Sequence, residues 1–174
     1  SAVLPGSDVD GDGLTYSVSG GSDITATVDG ATVNFSAPAN FNGSESFTAT
    51  VTDGEFSSSQ AFTVTVNAVN DAPTANAASG TVAEDGSVVI TLSGSDVDGD
   101  NLTFSAGSAT NGSVSLDGSF ATYTPDENYF GDDSFTFTVS DGTESDAAIV
   151  SLTVNAVNDA PVLAQVSDVS FDED

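Results

Sequence analysis

A chain of 174 residues has room for one large domain or two small ones. It carries 27 carboxylates, a formal charge of −27 and no Lys, Arg or His. That composition excludes phosphate-directed binding to nucleic acid or an anionic membrane, and it removes every His or Lys base, Arg clamp and Cys nucleophile from catalysis.

Acidic chains are often disordered, but 38% of this one is hydrophobic and its apolar residues alternate in order, so it folds. Asp outnumbers Glu 21 to 6, and Asp suits turns and metal loops better than helices. Cysteine is absent, and bound metal is another way to stiffen a small secreted domain. No apolar run is long enough to span a bilayer and no signal peptide stands at the start. The expectation is an internal fragment of a larger chain.

In chain order, the first feature is the loop "DVDGDG", with Asp8, Asp10 and Asp12 at alternate positions. "FNGSESFTATVTDG" follows at 41–54, holding Glu45 and Asp53, and then the linker "VNAVNDAP" at 66–73 with Asn70 and Asp71. The series starts again with Glu84 in "TVAEDGS", a strand "SVVITL" at 87–92, and the loop of Asp96, Asp98 and Asp100. "LTFS", "GSVSL" and "FATY" are short strands, separated by Asn-Gly and Asp-Gly turns. "SFTFTVS" (134–140) and "AIVSLTVN" (148–155) alternate with period two, placing Phe135, Phe137 and Val139 on one face and Val150, Leu152 and Val154 on another. The linker recurs at 154–161 with Asn158 and Asp159.

Asp8 recurs at Asp96, Asp53 at Asp141 and Val66 at Val154, each a step of 88 residues. A fixed period of this size means tandem domains. The predicted limits are repeat 1 at 1–72, a complete repeat 2 at 73–160 and the start of a third at 161–174. Glu173-Asp174 answers Glu84-Asp85, so 166–174 reads as a first strand whose counterpart repeat 1 lacks. About seven short strands per repeat and no helical period predict an all-β fold of tandem β-sandwiches.

The Asp loop resembles the first half of an EF-hand, in which side chains 1, 3 and 5 bind calcium and a glycine, here Gly13, permits the turn. The closing bidentate Glu is missing: Ser19 and Gly107 stand at its place. An Asp-rich turn with no metal is the plain alternative. Recurrence in both repeats and the lack of any cation favour calcium, and a ligand set of hard oxygens favours it over transition metals.

Here "SDVDGDNLTFS", "FTVSDG" and "VNDAP" resemble the DxD, VxAxDxG and DxNDNxP segments of cadherin repeats. The nearest resemblance is to cadherin-like tandem repeats of large bacterial surface adhesins, many of them RTX-type. It implies seven-stranded cadherin/immunoglobulin-like sandwiches joined end to end, with Ca2+ at each junction. By that resemblance Asp96 and Asp98 match the DxD pair, Asp141 its neighbouring loop, Asn70 and Asp71 the linker, and Glu45 the acidic residue of the upstream domain base. Glu84, Asp133 (or Asp132), Asn158 and Asp159 correspond at the next junction, and Asp8, Asp10 and Asp53 at the top of repeat 1. The linker departs from the family at Ala68 and Ala156, the Asp-Arg-Glu triplet has no Arg, and no Trp is present for strand-swap adhesion. One or two ions per junction are expected rather than three.

The function this implies is a calcium-stiffened structural or adhesive repeat of a secreted, cell-surface protein. Its partners are neighbouring repeats and, head to tail, other copies of the chain. The alternative is a calcium-dependent carbohydrate-binding module whose partner is a surface glycan; an enzyme is not expected. Phe41, Tyr129 and Phe130 are expected to plug the base of the sandwich. Sequons at Asn34, Asn42, Asn101 and Asn111 carry no expected role, and Asn-Gly is a hairpin signal in its own right.

Overall fold

The computed structural model describes residues 1–171 and residue 173; Asp172 and Asp174, the latter half of the expected match to Glu84-Asp85, lie outside the described residues. The chain divides into two units, Ser1–Asp71 and Ala72–Asp174. Every regular element among the described residues is a strand.

Unit 1 contains β1 (Ala2–Val3), β2 (Thr15–Gly20), β3 (Thr25–Asp29), β4 (Thr32–Ser36), β5 (Gly43–Thr52) and β6 (Ser57–Val66). They form two sheets, ordered β1-β4-β3 and β2-β5-β6. Thr, Val and Phe fill these strands, and their branched or flat side chains suit a pleated, half-buried surface. Phe35 of β4 meets Phe47 of β5 edge to face at 5.4 Å, and Phe47 stacks on Phe62 of β6 at 5.8 Å. Rings from both sheets therefore hold this unit together.

Unit 2 begins with β7 (Thr74–Asn76), β8 (Ala78–Ala83), β9 (Val88–Thr91) and β10 (Ser93–Ser95). It continues through β11 (Thr103–Ala106), β12 (Gly112–Asp117), β13 (Phe120–Pro125), β14 (Gly131–Ser140) and β15 (Ser145–Asn155). One sheet runs β11-β14-β15-β8, the other β12-β13-β9, and β7 pairs with β10. The core lies between the two sheets. Phe135, Phe137, Val139, Val150, Leu152 and Val154 come from one side, and Ile90, Ala121 and Tyr123 from the other. The two inward faces expected from the period-two pattern are thus the buried ones.

Two details depart from the sequence reading, and the pairing of β8 goes beyond it. β14 and β15 begin earlier than 134 and 148, because the hairpin ladder extends from Gly131↔Val154 to Ser140↔Ser145. β8 runs parallel to β15, Ala78 opposite Val150 through Ala83 opposite Asn155. Its sequence, ASGTVA, is small and weakly β-prone, so only tertiary pairing makes it a strand. Of the expected basal plug, Tyr129 packs on the core and Phe41 is half-buried, but Phe130 is 63% exposed. It precedes the first residue of β14 and points away from the sandwich interior.

Candidate metal centre

Both Asp loops use one oxygen to shape their own backbone. Asp96 Oδ1 accepts the N–H groups of Asp98 at 2.9 Å and Asp100 at 3.2 Å. Asp8 Oδ1 accepts those of Asp10 at 2.8 Å and Asp12 at 3.1 Å. Such local bonds are why Asp favours turns. The chain passes through positive φ at Gly11 (83°) and Gly99 (80°). Gly13, the glycine expected by analogy with the EF-hand, is not the turning residue; the shorter Asp-Val-Asp-Gly turn reverses the chain two residues earlier.

The second oxygen of Asp96 is the informative atom. Asp96 Oδ2 is shielded from solvent and has no hydrogen-bond partner. A shielded, unsatisfied carboxylate oxygen is costly unless a cation faces it. Asp96, Asp98 and Asp100 each bring one carboxylate oxygen within 4.8 Å of the others. Oxygens about 2.4 Å from one shared calcium are at most about 4.8 Å apart, so this spacing fits the ion. The chain has no side-chain cation to fill the same role. Asp8, Asp10 and Asp12 share the backbone bonds, but among the described residues only the 96–100 loop gathers three such atoms this closely.

Asp53 and Asp141 shape the turns between the long hairpin strands. Asp53 Oδ1 accepts the N–H of Glu55 and of Phe56, each at 2.7 Å, and Asp141 Oδ1 accepts those of Thr143 at 2.6 Å and Glu144 at 2.7 Å. The Phe56 and Glu55 N–H groups hold the Asp53 carboxyl below the usual carboxylate range. In both linkers the Asn amide turns onto the next carbonyl: Asn70 Nδ2 to Asp71 O and Asn158 Nδ2 to Asp159 O, each 3.2 Å. Glu84 is buried, and its Oε1 accepts the Val157 N–H where the second linker leaves β15.

Glu45 and Asp133, 88 residues apart, have a different occupation. Glu45 accepts three backbone N–H groups, from Ser22, Asp23 and Ile24, and the Ser22 hydroxyl, all at 2.9–3.0 Å. The N–H groups of Asp23 and Ile24 foremost hold its carboxyl at about 2. Asp133 accepts the N–H groups of Thr110, Asn111 and Ser134 and the hydroxyl of Tyr123. Partial burial pushes Asp133 up, but the N–H groups of Ser134, Asn111 and Thr110 and the Tyr123 hydroxyl together hold it below the usual range. Burial, then the bond to Asp133, pushes the Tyr123 phenol up. These carboxylates fasten the loops at 22–24 and 110–111, and their lone pairs are used in doing so. Asp132, the alternative to Asp133, accepts the Thr153 hydroxyl at 3.4 Å. Among the described residues, Glu84 and Asp133 do not join any three-carboxylate group.

One working carboxylate escaped the sequence reading. Asp146 Oδ2 accepts the Ala75 N–H at 2.8 Å, tying β7 to β15, and this bond holds its carboxyl below the usual range. Its counterpart one period earlier is Ser58, so the repeat carries no signal for it.

A family model described as "Bacterial Ig domain" matches residues 1–67 and again 70–153. No curated protein matches the chain. Among solved structures, human protocadherin-24 EC1-2 aligns at a TM-score of 0.61 and 18% identity, over 91% of this chain and 88% of that one. That likeness shows the fold alone. The endo-fucoidan hydrolase MfFcnA4, of glycoside hydrolase family 107, is 27% identical over 86% of this chain at a TM-score of 0.42, and this chain spans 24% of its length. No helix among the described residues is long and apolar enough to cross a membrane. With two consecutive family matches and two units built on one strand plan, the chain belongs to the bacterial Ig domain family, carried as tandem copies folded like cadherin repeats.

Proposed function

We infer that this chain is a calcium-stiffened structural and adhesive repeat of a long extracellular bacterial protein, and not an enzyme. The observation that carries the reading is Asp96 Oδ2, shielded and without a donor beside Asp98 and Asp100, in a chain with no cation. Asp96 would give Oδ2 to the ion while Oδ1 holds the turn; Asp98 and Asp100 would add one oxygen each. Asp8, Asp10 and Asp12 are the corresponding set in unit 1. The cadherin-like resemblance adds Asp53 or Asp141 from the adjacent turn and the linker pairs Asn70-Asp71 and Asn158-Asp159. Glu84 is a further candidate by its place at the exit to the linker. Glu45 and Asp133 are left out of the ligand set, since their oxygens already hold loop backbone. Bound calcium supplies positive charge among carboxylates that otherwise repel, and a Pro-restricted linker (Pro73, Pro161) then has little freedom left.

Calorimetric calcium titration, with small-angle scattering on the same sample, tests this. Binding should saturate in the range of extracellular sites, roughly 0.1–1 mM, and the scattering envelope should lengthen and narrow. Absence of any calcium heat, with identical scattering in EDTA, would sink the reading. Binding to a glycan array would instead assign the chain to the carbohydrate-binding alternative.

A further inference from the structure

The tripeptide Asn-Gly-Ser occurs twice, at 42–44 in unit 1 and at 111–113 in unit 2, and the sequence holds no other Asn-Gly bond. Both lead into a strand: Gly43 is the first residue of β5 and Gly112 the first of β12. Asn followed by Gly is the pair most open to deamidation, because a glycine nitrogen has no side chain beside it to keep it from the Asn amide carbon. Two identical tripeptides in one molecule leave only the fold to set them apart.

The fold holds them differently. The Asn111 N–H donates to Asp133 Oδ2 at 2.9 Å, and the Asn111 carbonyl accepts the Asp126 N–H at 2.9 Å and the Tyr123 hydroxyl at 3.2 Å. Gly112 lies opposite Pro125, so close to β13 that a Cβ on it would stand 2.6 Å from both the Thr124 carbonyl oxygen and the Tyr123 ring. The backbone at 111–112 cannot turn without breaking this clamp. Asn42 is exposed, and among the described residues no side chain bonds to its backbone. A Cβ on Gly43 would meet only the Phe41 ring, at an ordinary 3.6 Å. Phe130, one period after Asn42, is exposed as well, so this position faces outward in both units.

We propose that Asn42-Gly43 is a site of spontaneous deamidation in the folded protein, while the clamp on Asn111 protects the second Asn-Gly bond. The Gly43 nitrogen gives its proton to a solvent base and attacks Asn42 Cγ. The side-chain nitrogen of Asn42 takes up a proton and leaves as ammonia, which closes a succinimide ring. Water opens the ring at either carbonyl and leaves an aspartyl or an isoaspartyl residue at position 42. A water is consumed and an ammonia released, with no change of oxidation state. Either product adds a carboxylate. The isoaspartyl product also lengthens the main chain by a methylene, immediately before the β5–β6 ladder opens at Gly43↔Val66. Glu45, which fastens the loop at 22–24, stands in the same stretch of β5. Unit 1 therefore ages at a bond that unit 2 keeps closed.

The test is to hold the whole folded chain in mildly alkaline buffer, sample it over time, and weigh its Asn42 and Asn111 chymotryptic peptides by mass spectrometry. Asn42 should convert about tenfold or more faster than Asn111, which reacts only when its hydrogen bonds open. In denaturant the two rates should converge, since the tripeptides are the same. Tyr123→Phe removes one bond to the Asn111 carbonyl and should speed Asn111 about fivefold, with Asn42 unchanged. Asn42→Gln, whose longer side chain closes the ring far more slowly, should end conversion in unit 1 and preserve the hydrogen-exchange protection of β5 on ageing. Equal rates in the folded chain, a faster Asn111, no conversion of Asn42 while the denatured chain converts, a difference that persists in denaturant, or an Asn111 rate indifferent to Tyr123→Phe would each overturn the proposal.

Discussion

The two units follow one sequence plan with unequal results. Among the described residues fourteen hydrophobic side chains are buried; unit 2 holds eleven of them and unit 1 three, Ile24, Val33 and Phe47. The pattern of apolar positions is not the cause. Val51, Val64 and Val66 repeat as Val139, Leu152 and Val154, yet the first three are half-buried and the second three no more than 3% exposed. What differs is the cover. β8 lies along β15, β7 closes the adjoining edge, and β6 has neither. Burial of a strand is a property of its neighbours, and the period-two signal marks only which side chains are available to be buried.

Truncating equivalent rings is the hardest way to break this comparison. Phe47 and Phe135 are both at most 2% exposed, and Phe47→Ala or Phe135→Ala should each cost about 3–5 kcal/mol. Hydrogen exchange followed by unit should show each loss confined to its own unit. Phe47→Ala should leave unit 1 unprotected, since its core is smaller and the Phe35–Phe47–Phe62 contacts go with it. Equal residual protection in the two units would show that the missing cover carries little stability.

Calcium should sharpen the contrast next. At ten times its dissociation constant an ion bound only to the folded state adds about 1.4 kcal/mol per site. Asp96→Ala should abolish the part of the calcium-dependent rise in melting temperature that belongs to unit 2. A variant whose calcium response matches the wild type would reduce Asp96 to a turn residue.

The loop anchors give a smaller effect that distinguishes the units by pH. In unit 2 the anchor is a short Asp133 helped by Tyr123; in unit 1 it is a longer Glu45 that reaches Ser22, and the position of the tyrosine holds Phe35. Tyr123→Phe imports the unit 1 solution and should cost about 1 kcal/mol. The folded state raises the Tyr123 phenol above its ordinary value of 10.0. The unfolded chain therefore loses its proton first, and wild-type unit 2 should lose stability as pH climbs past 10. Tyr123→Phe should flatten that alkaline slope in thermal melts, and an unaltered slope would remove Tyr123 as its source.

The last effect appears only in acid. Glu45 is held at about 2 against an ordinary 4.5, so the unfolded chain takes up its proton first as pH falls. Its support of unit 1 is complete above about pH 4.5 and lost on the way down to about 2. Wild type and Glu45→Gln should therefore differ most near neutrality and converge below that range. A difference that persists unchanged at the lowest pH would mean that the side chain's shape, and not its charge, holds the loop.

By itself the sequence determined the two-copy plan, the all-β class, the inward faces of the long hairpin strands, and the Asp-Gly turns that Asp8 and Asp96 shape. Each of these rests on short-range order: a repeat of 88 residues, alternation along one strand, or Asp and Gly in a turn. Tertiary structure decided the rest, because it depends on what arrives from far along the chain. ASGTVA becomes a strand only because β15 lies beside it. Glu45 and Asp133, acidic residues like the loop aspartates in composition, are spent on backbone N–H groups 21–23 residues away. Asp96 Oδ2, in contrast, is enclosed and left without a donor. A carboxylate's role is set by whether donors reach its oxygens, and that geometry is not written in the residue's spacing.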